Sequence, residues 1–205
     1  MYSGERFNSI THLVGACLAL VGLIVLVVWA SLYGDSRRVV SFSIYGGTLL
    51  LLYTSSTLYH SLRGAAKRVF RRLDHASIYL LIAGSYTPFS LVAIGGRLGW
   101  TLLATVWALA VVGILLEFRR VKGTRILAVL IYVVMGWLAI VAFRPLLAAL
   151  GPAGLAWLFA GGLFYTVGIA FYAADRRHPI AHGIWHLFVI AGSLAHYIAI
   201  FCFVA

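Results

Sequence analysis

Acidic residues are scarce in this 205-residue chain: Glu5, Asp35, Asp74, Glu117 and Asp175 are all it has, against sixteen Lys and Arg. Charged residues of both signs make up 10% of it, where a soluble domain of this size carries about a quarter. So few charges cannot solvate a globular surface, which excludes a soluble fold. Disorder is excluded for the opposite reason, since 63% of the residues are hydrophobic. Cysteine and lysine are rarer still, at two each (Cys17 and Cys202, Lys67 and Lys122). What remains is an integral membrane protein whose outer face meets lipid. Its net charge of +11 would point to nucleic acid in a soluble protein, so the placement of the charges decides what it means.

The charges divide the chain into charge-free intervals at 7–34, 39–62, 75–96, 98–116, 126–143, 145–174 and 178–205. Each is long enough for one span of about 20 residues, and none reaches the roughly 40 that two spans and a turn require. In the longest, Gly151-Pro152 sets the start of the helix at Pro152 and leaves 145–150 interfacial. The expected fold is all-α, a single heptahelical membrane domain with helices at about 9–33, 39–62, 74–95, 98–117, 125–143, 152–174 and 179–204. A transmembrane barrel would alternate apolar and polar residues, whereas these runs are apolar on every side and must satisfy their backbone groups internally. The first run is too long for the apolar region of a signal peptide and is read as helix 1.

Loop charges orient the bundle. Arg6, Arg63, Lys67, Arg68, Arg71, Arg72, Arg119, Arg120, Lys122, Arg125, Arg176 and Arg177 fall on one side, and only Arg37, Arg38, Arg97 and Arg144 on the other. Twelve against four puts the N-terminus in the cytoplasm and the C-terminus outside. The basic loops therefore set topology and meet anionic headgroups, and no nucleic-acid-binding motif accompanies them. Neither lysine lies in a span, which excludes a retinal Schiff base, and the orientation argues against a G-protein-coupled receptor. Cys17 and Cys202 differ in depth by roughly 15–20 Å, too far for a disulfide, and read as packing residues.

Polar groups inside spans are costly, and each is a functional candidate. Glu5, Asn8 and His12 open helix 1 on one face, at i, i+3 and i+7. Ser56 and His60 close helix 2, and His182 and His186 open helix 7, each pair at i, i+4. Asp74 and His75 open helix 3. By the charge count all of these lie at the cytoplasmic end, while His196 sits about two and a half turns deeper. Two histidines one turn apart can share a metal ion, and His60 lies at the same depth. Three imidazoles with a nearby carboxylate match a zinc site that keeps one position open. Plainer roles stand beside these. His12 and His196 could simply hydrogen-bond a neighbouring helix, His75 could be interfacial, Asp74 could cap helix 3 and Ser56 could bond the carbonyl one turn earlier. Pro179 starts helix 7, and Pro88 kinks helix 3 and frees the Gly84 carbonyl.

Taken together, Glu5-x-x-Asn8-x-x-x-His12, Ser56-x-x-x-His60 followed by Asp74, and His182-x-x-x-His186 with His196 beyond resemble the three motifs of the progestin and adipoQ receptor superfamily. Leu73-Asp74-His75 with Gly84-Ser85-Tyr86-Thr87-Pro88 is closest to its bacterial branch, the hemolysin III proteins. The resemblance spans essentially the whole chain. It implies a seven-helix protein of the bacterial plasma (inner) membrane with zinc held by His60, His182 and His186. It also implies that Asp74 holds or activates the attacking water, with Ser56 in the same pocket and Glu5, Asn8 and His12 in supporting or gating roles. The activity it points to is that of its ceramidase-like members, hydrolysis of a lipid amide or ester whose acyl tail lies among the helices. The competing expectation is a receptor-like regulator of membrane lipids, or a cytolytic protein, with structural zinc.

Overall fold

Long apolar runs satisfy their backbone groups as helices, and in the computed structural model of the chain every element is helical. The structure describes residues 3–119, 124–175, 178 and 180–205, and no strand occurs among them. Arg120, Lys122, Arg176, Arg177 and Pro179 lie outside the described residues, as does the side chain of Arg125. A short 3₁₀ turn, Ser3–Glu5, leads into α1 (Arg6–Tyr33), followed by α2 (Ser36–Ser61) and α3 (Gly64–Pro88), which continues as a π-helix, Phe89–Ile94. Next come α4 (Gly96–Phe118), α5 (Thr124–Trp137) with a 3₁₀ segment Leu138–Ala142, α6 (Phe143–Ala174) and α7 (Ala181–Phe203). Six helical stretches are long and apolar enough to cross a membrane, one of them the 49 residues from Ile126 to Ala174.

α1 illustrates how the helices pack. Its buried stripe is Ser9, His12, Gly15, Ala19, Gly22, Leu26 and Ala30, mostly small residues at helical spacing, while Leu18, Val21 and Leu32 stay exposed. Small residues let helices approach closely where lipid supplies no hydrophobic drive. A Cβ at Gly15 would lie 2.7 Å from the Tyr53 ring, and one at Gly22 would lie 2.8 Å from Tyr197. The two ends of the bundle are distinct. Glu5 accepts from Lys67 at one end, and at the other Arg38 donates to the Val204 carbonyl.

Three expectations need correcting. Helix 3 was expected to start at residue 74 but begins at Gly64, ten residues earlier. Loss of apolarity marks the edge of the bilayer, not of the helix, and Ala65, Ala66, Lys67 and Arg68 are strong helix formers that carry α3 into the polar region. Asp74 is therefore inside a helix and is not its cap. Second, residues 143–150 are helical, and Gly151 (φ 65°, ψ 177°) alone interrupts α6. Third, α5 is α-helical only to Trp137. There the Tyr86 hydroxyl donates to the Met135 carbonyl at 2.8 Å and accepts from Ala139 N–H at 2.8 Å, satisfying groups freed by the change of helix type. Pro88 stands where α3 gives way to the π-helix, whose wider register is seen in Gly95 N–H donating to Ser90 O.

Candidate metal centre

α1, α2, α3 and α7 bring one end of the bundle together. His60 from the last turn of α2 and His182 and His186 from the first turns of α7 each offer a ring nitrogen, and these lie within 4.8 Å of one another. His60 and His186 are buried and His182 is half-buried. The three rings pack with centroids 4.8–5.0 Å apart.

Their second nitrogens explain the arrangement. His60 Nδ1 contacts Glu5 Oε2 at 2.5 Å, His182 Nδ1 contacts Asp175 Oδ2 at 3.3 Å, and His186 Nδ1 contacts the Asn8 carbonyl at 3.1 Å. Carboxylates and carbonyls only accept, so each Nδ1 carries its proton and each Nε2 keeps a lone pair. His60 Nε2 and His182 Nε2 then face each other at 3.3 Å. Lone pairs at that separation repel unless a cation or proton lies between them. Ligand nitrogens about 2.0–2.1 Å from a tetrahedral zinc are themselves about 3.3–3.4 Å apart. Acceptors behind ligand imidazoles are also the usual outer shell of a metal site. The donor set fits a nitrogen-preferring ion.

Glu5 is the hub of this outer shell. It also accepts from Lys67 Nζ at 2.9 Å and Asn8 Nδ2 at 3.1 Å. Burial works against its ionisation, but the hydrogen bonds from His60 and Lys67 outweigh that and hold the carboxyl down at about 2.

The other expected residues fall into two groups. Ser56 Oγ is fully buried and has no hydrogen bond of good geometry among the described residues, and the Asp74 carboxylate is the acceptor beside it. The plainer role foreseen for Ser56 belongs to its neighbour, since Ser55 donates to the Leu51 carbonyl at 2.7 Å. Neither ring nitrogen of His12 has a hydrogen-bond partner of good geometry among the described residues, and its ring stacks on His186 at 3.6 Å. His75 and His196 stand apart from the cluster. His75 pairs with Glu117 at 2.9 Å, tying α3 to α4, and His196 bonds the Leu158 carbonyl on α6. Asp175 and Thr11, whose hydroxyl lies 3.3 Å from His186 Nδ1, were not anticipated. For Asp175 the signal was its place among only five acids, seven residues before His182.

Beneath the cluster lies a cavity of about 100 Å³. Leu52, Ile78 and Val189 in its wall are each about one turn from Ser56, Asp74 and His186.

A family model described as haemolysin-III related matches residues 1–197. The chain belongs to the haemolysin-III family. Within it, hemolysin-3 of Bacillus cereus is 44% identical over 201 residues, covering 98% of this chain and 91% of the relative. A hemolysin-3 homolog of Bacillus subtilis (strain 168) is 45% identical over 197 residues, or 96% and 92% of the two chains. The human monocyte to macrophage differentiation factor is 31% identical over 202 residues, or 94% and 81%. Family and apolar helices together make this haemolysin-III member a multi-pass membrane protein.

Proposed function

We propose that the chain is a single seven-helix domain of the bacterial plasma membrane that holds zinc at His60, His182 and His186 and hydrolyses an amide or ester bond of a lipid. The observation that carries this reading is the convergence of three imidazoles, each backed by an acceptor, at the end of the bundle that holds Asp74 and Ser56. Counting seven crossings treats the 49-residue stretch as two. Unbroken, it would run about 74 Å, more than twice the hydrocarbon thickness, and Gly151 interrupts it. The loop charges put the N-terminus in the cytoplasm, so the site faces that side.

Bound zinc supplies a Lewis acid and makes water a nucleophile at neutral pH. Asp74 takes the proton from the attacking water and returns it to the leaving amine or alcohol. Ser56 donates to the carbonyl oxygen as it gains charge. Glu5, Asp175 and the Asn8 carbonyl keep the imidazole protons at Nδ1, and His12 braces the His186 ring. The apolar cavity beneath takes the acyl tail, and the basic loops meet anionic headgroups. Purified protein loaded with zinc should turn over long-chain N-acyl lipids. Absence of turnover across a broad panel of amides and esters, with metal retained, would sink the enzyme reading.

The name of the Bacillus cereus relative, hemolysin-3, favours a second reading: a lytic or receptor-like membrane protein in which zinc only pins α2 to α7. Asp74→Ala separates the two. A cellular phenotype that survives this substitution favours the second reading.

A further inference from the structure

Ten residues beyond His186 on α7, His196 sits about 15 Å deeper in the bundle. Its Nε2 lies 3.2 Å from the Leu158 carbonyl of α6, and the same ring edge rests on Gly161, where any Cβ would collide with it. A carbonyl only accepts, so the proton is on Nε2 and Nδ1 keeps its lone pair. Nδ1 has no hydrogen-bond partner among the described residues.

This unpaired acceptor belongs to a side chain in the wall of the apolar cavity that begins beneath the metal centre. A second cavity, of about 40 Å³, shares Ser85, Tyr86, Gly136, Trp137, Gly162 and His196 with the first. Several wall donors are already committed to protein acceptors. Ser85 donates to Ile82 O, Tyr86 to Met135 O, Trp137 to Thr166 Oγ1 and Thr166 to Gly162 O. His196 Nδ1 is thus an open acceptor where two apolar cavities meet, beside hydroxyls already donating elsewhere. An apolar ligand carrying one hydroxyl at that depth would pair with it, and a plain hydrocarbon would leave it unpaired.

We propose that His196 is a specificity residue that selects an acyl tail hydroxylated part-way along its length. The inference rests on the acyl-tail reading of the cavity. An extended chain advances about 1.2 Å per bond, so about 15 Å from the metal centre falls near the twelfth carbon. The test measures affinities of stearate and 12-hydroxystearate for the purified, zinc-loaded protein by displacement of a fluorescent fatty acid, with metal content determined on the same samples. The wild type should bind 12-hydroxystearate about tenfold more tightly. His196→Leu, which has no acceptor, should bind both acids equally and retain its metal. His196→Gln, whose amide N–H can replace the bond to Leu158 and whose amide oxygen still accepts, should keep part of the preference and its metal. Equal affinities in the wild type, or a full preference that survives His196→Leu, would overturn the proposal, as would failure of both acids to bind. A wild type that retains no zinc yet keeps the hydroxyl preference would support it while counting against the zinc hydrolase.

Discussion

Four histidines on α2 and α7 occupy two environments that differ less in burial than in how their nitrogens are used. In His60, His182 and His186, Nδ1 faces an acceptor, and one ring nitrogen from each lies within 4.8 Å of the others. In His196, Nε2 is spent on a carbonyl of the neighbouring α6, and the ring beside it is that of Tyr165. The first arrangement calls for a cation and the second for at most one hydrogen-bond donor. Residue type and depth do not separate these cases. The acceptors behind the rings do.

The largest expected effect breaks the first environment. His60→Ala removes one of three ligands, and metal content should fall from about one ion per chain to near zero, while His196→Gln keeps the full amount. Equal metal in both variants would erase the distinction. Next, Asp74→Ala should leave metal bound and lower any hydrolytic rate by about 10²–10⁴-fold, the usual weight of a general base. A matching loss of metal would recast Asp74 as a ligand.

The contrast was partly legible in the sequence. Spacing put His182 and His186 one turn apart and His60 at their level, because helical period and bilayer depth are both written in the order of residues. The same reasoning set His196 deeper, and its bond to α6 is the plain role foreseen for a lone intramembrane histidine. The pairing of Glu5 with His60, of Asp175 with His182 and of Lys67 with Glu5 was not legible, since these join elements whose relative rotation only packing decides. The start of helix 3 was not legible for another reason: hydropathy locates the membrane boundary near Asp74, and the helix continues past it to Gly64.

Smaller effects sharpen the comparison. Glu5→Gln removes the carboxylate behind His60 and should weaken metal binding by about 10–100-fold in a chelator competition, the usual weight of an outer-shell group. The carboxyl is depressed from 4.5 to about 2. Its stabilising contribution is therefore complete above about pH 4.5 and fades only as pH falls toward 2. The unfolding-stability deficit of metal-free Glu5→Gln should thus persist from neutral pH down to about 5. A deficit that vanished near pH 6 would assign the effect to another group. Smallest of all, Gly161→Ala pushes a methyl group against the His196 ring and should cost about 1–3 kcal/mol in thermal unfolding, with metal content intact. Loss of metal in this variant would show that the two environments are coupled.

The central claim is that three imidazole nitrogens converge on one ion. X-ray absorption at the zinc edge, on protein reconstituted with one equivalent of zinc, tests it directly. The account predicts three imidazole ligands and one further light atom at about 2.0–2.1 Å. A spectrum with fewer than three imidazoles, or protein that retains no zinc through desalting, would contradict it.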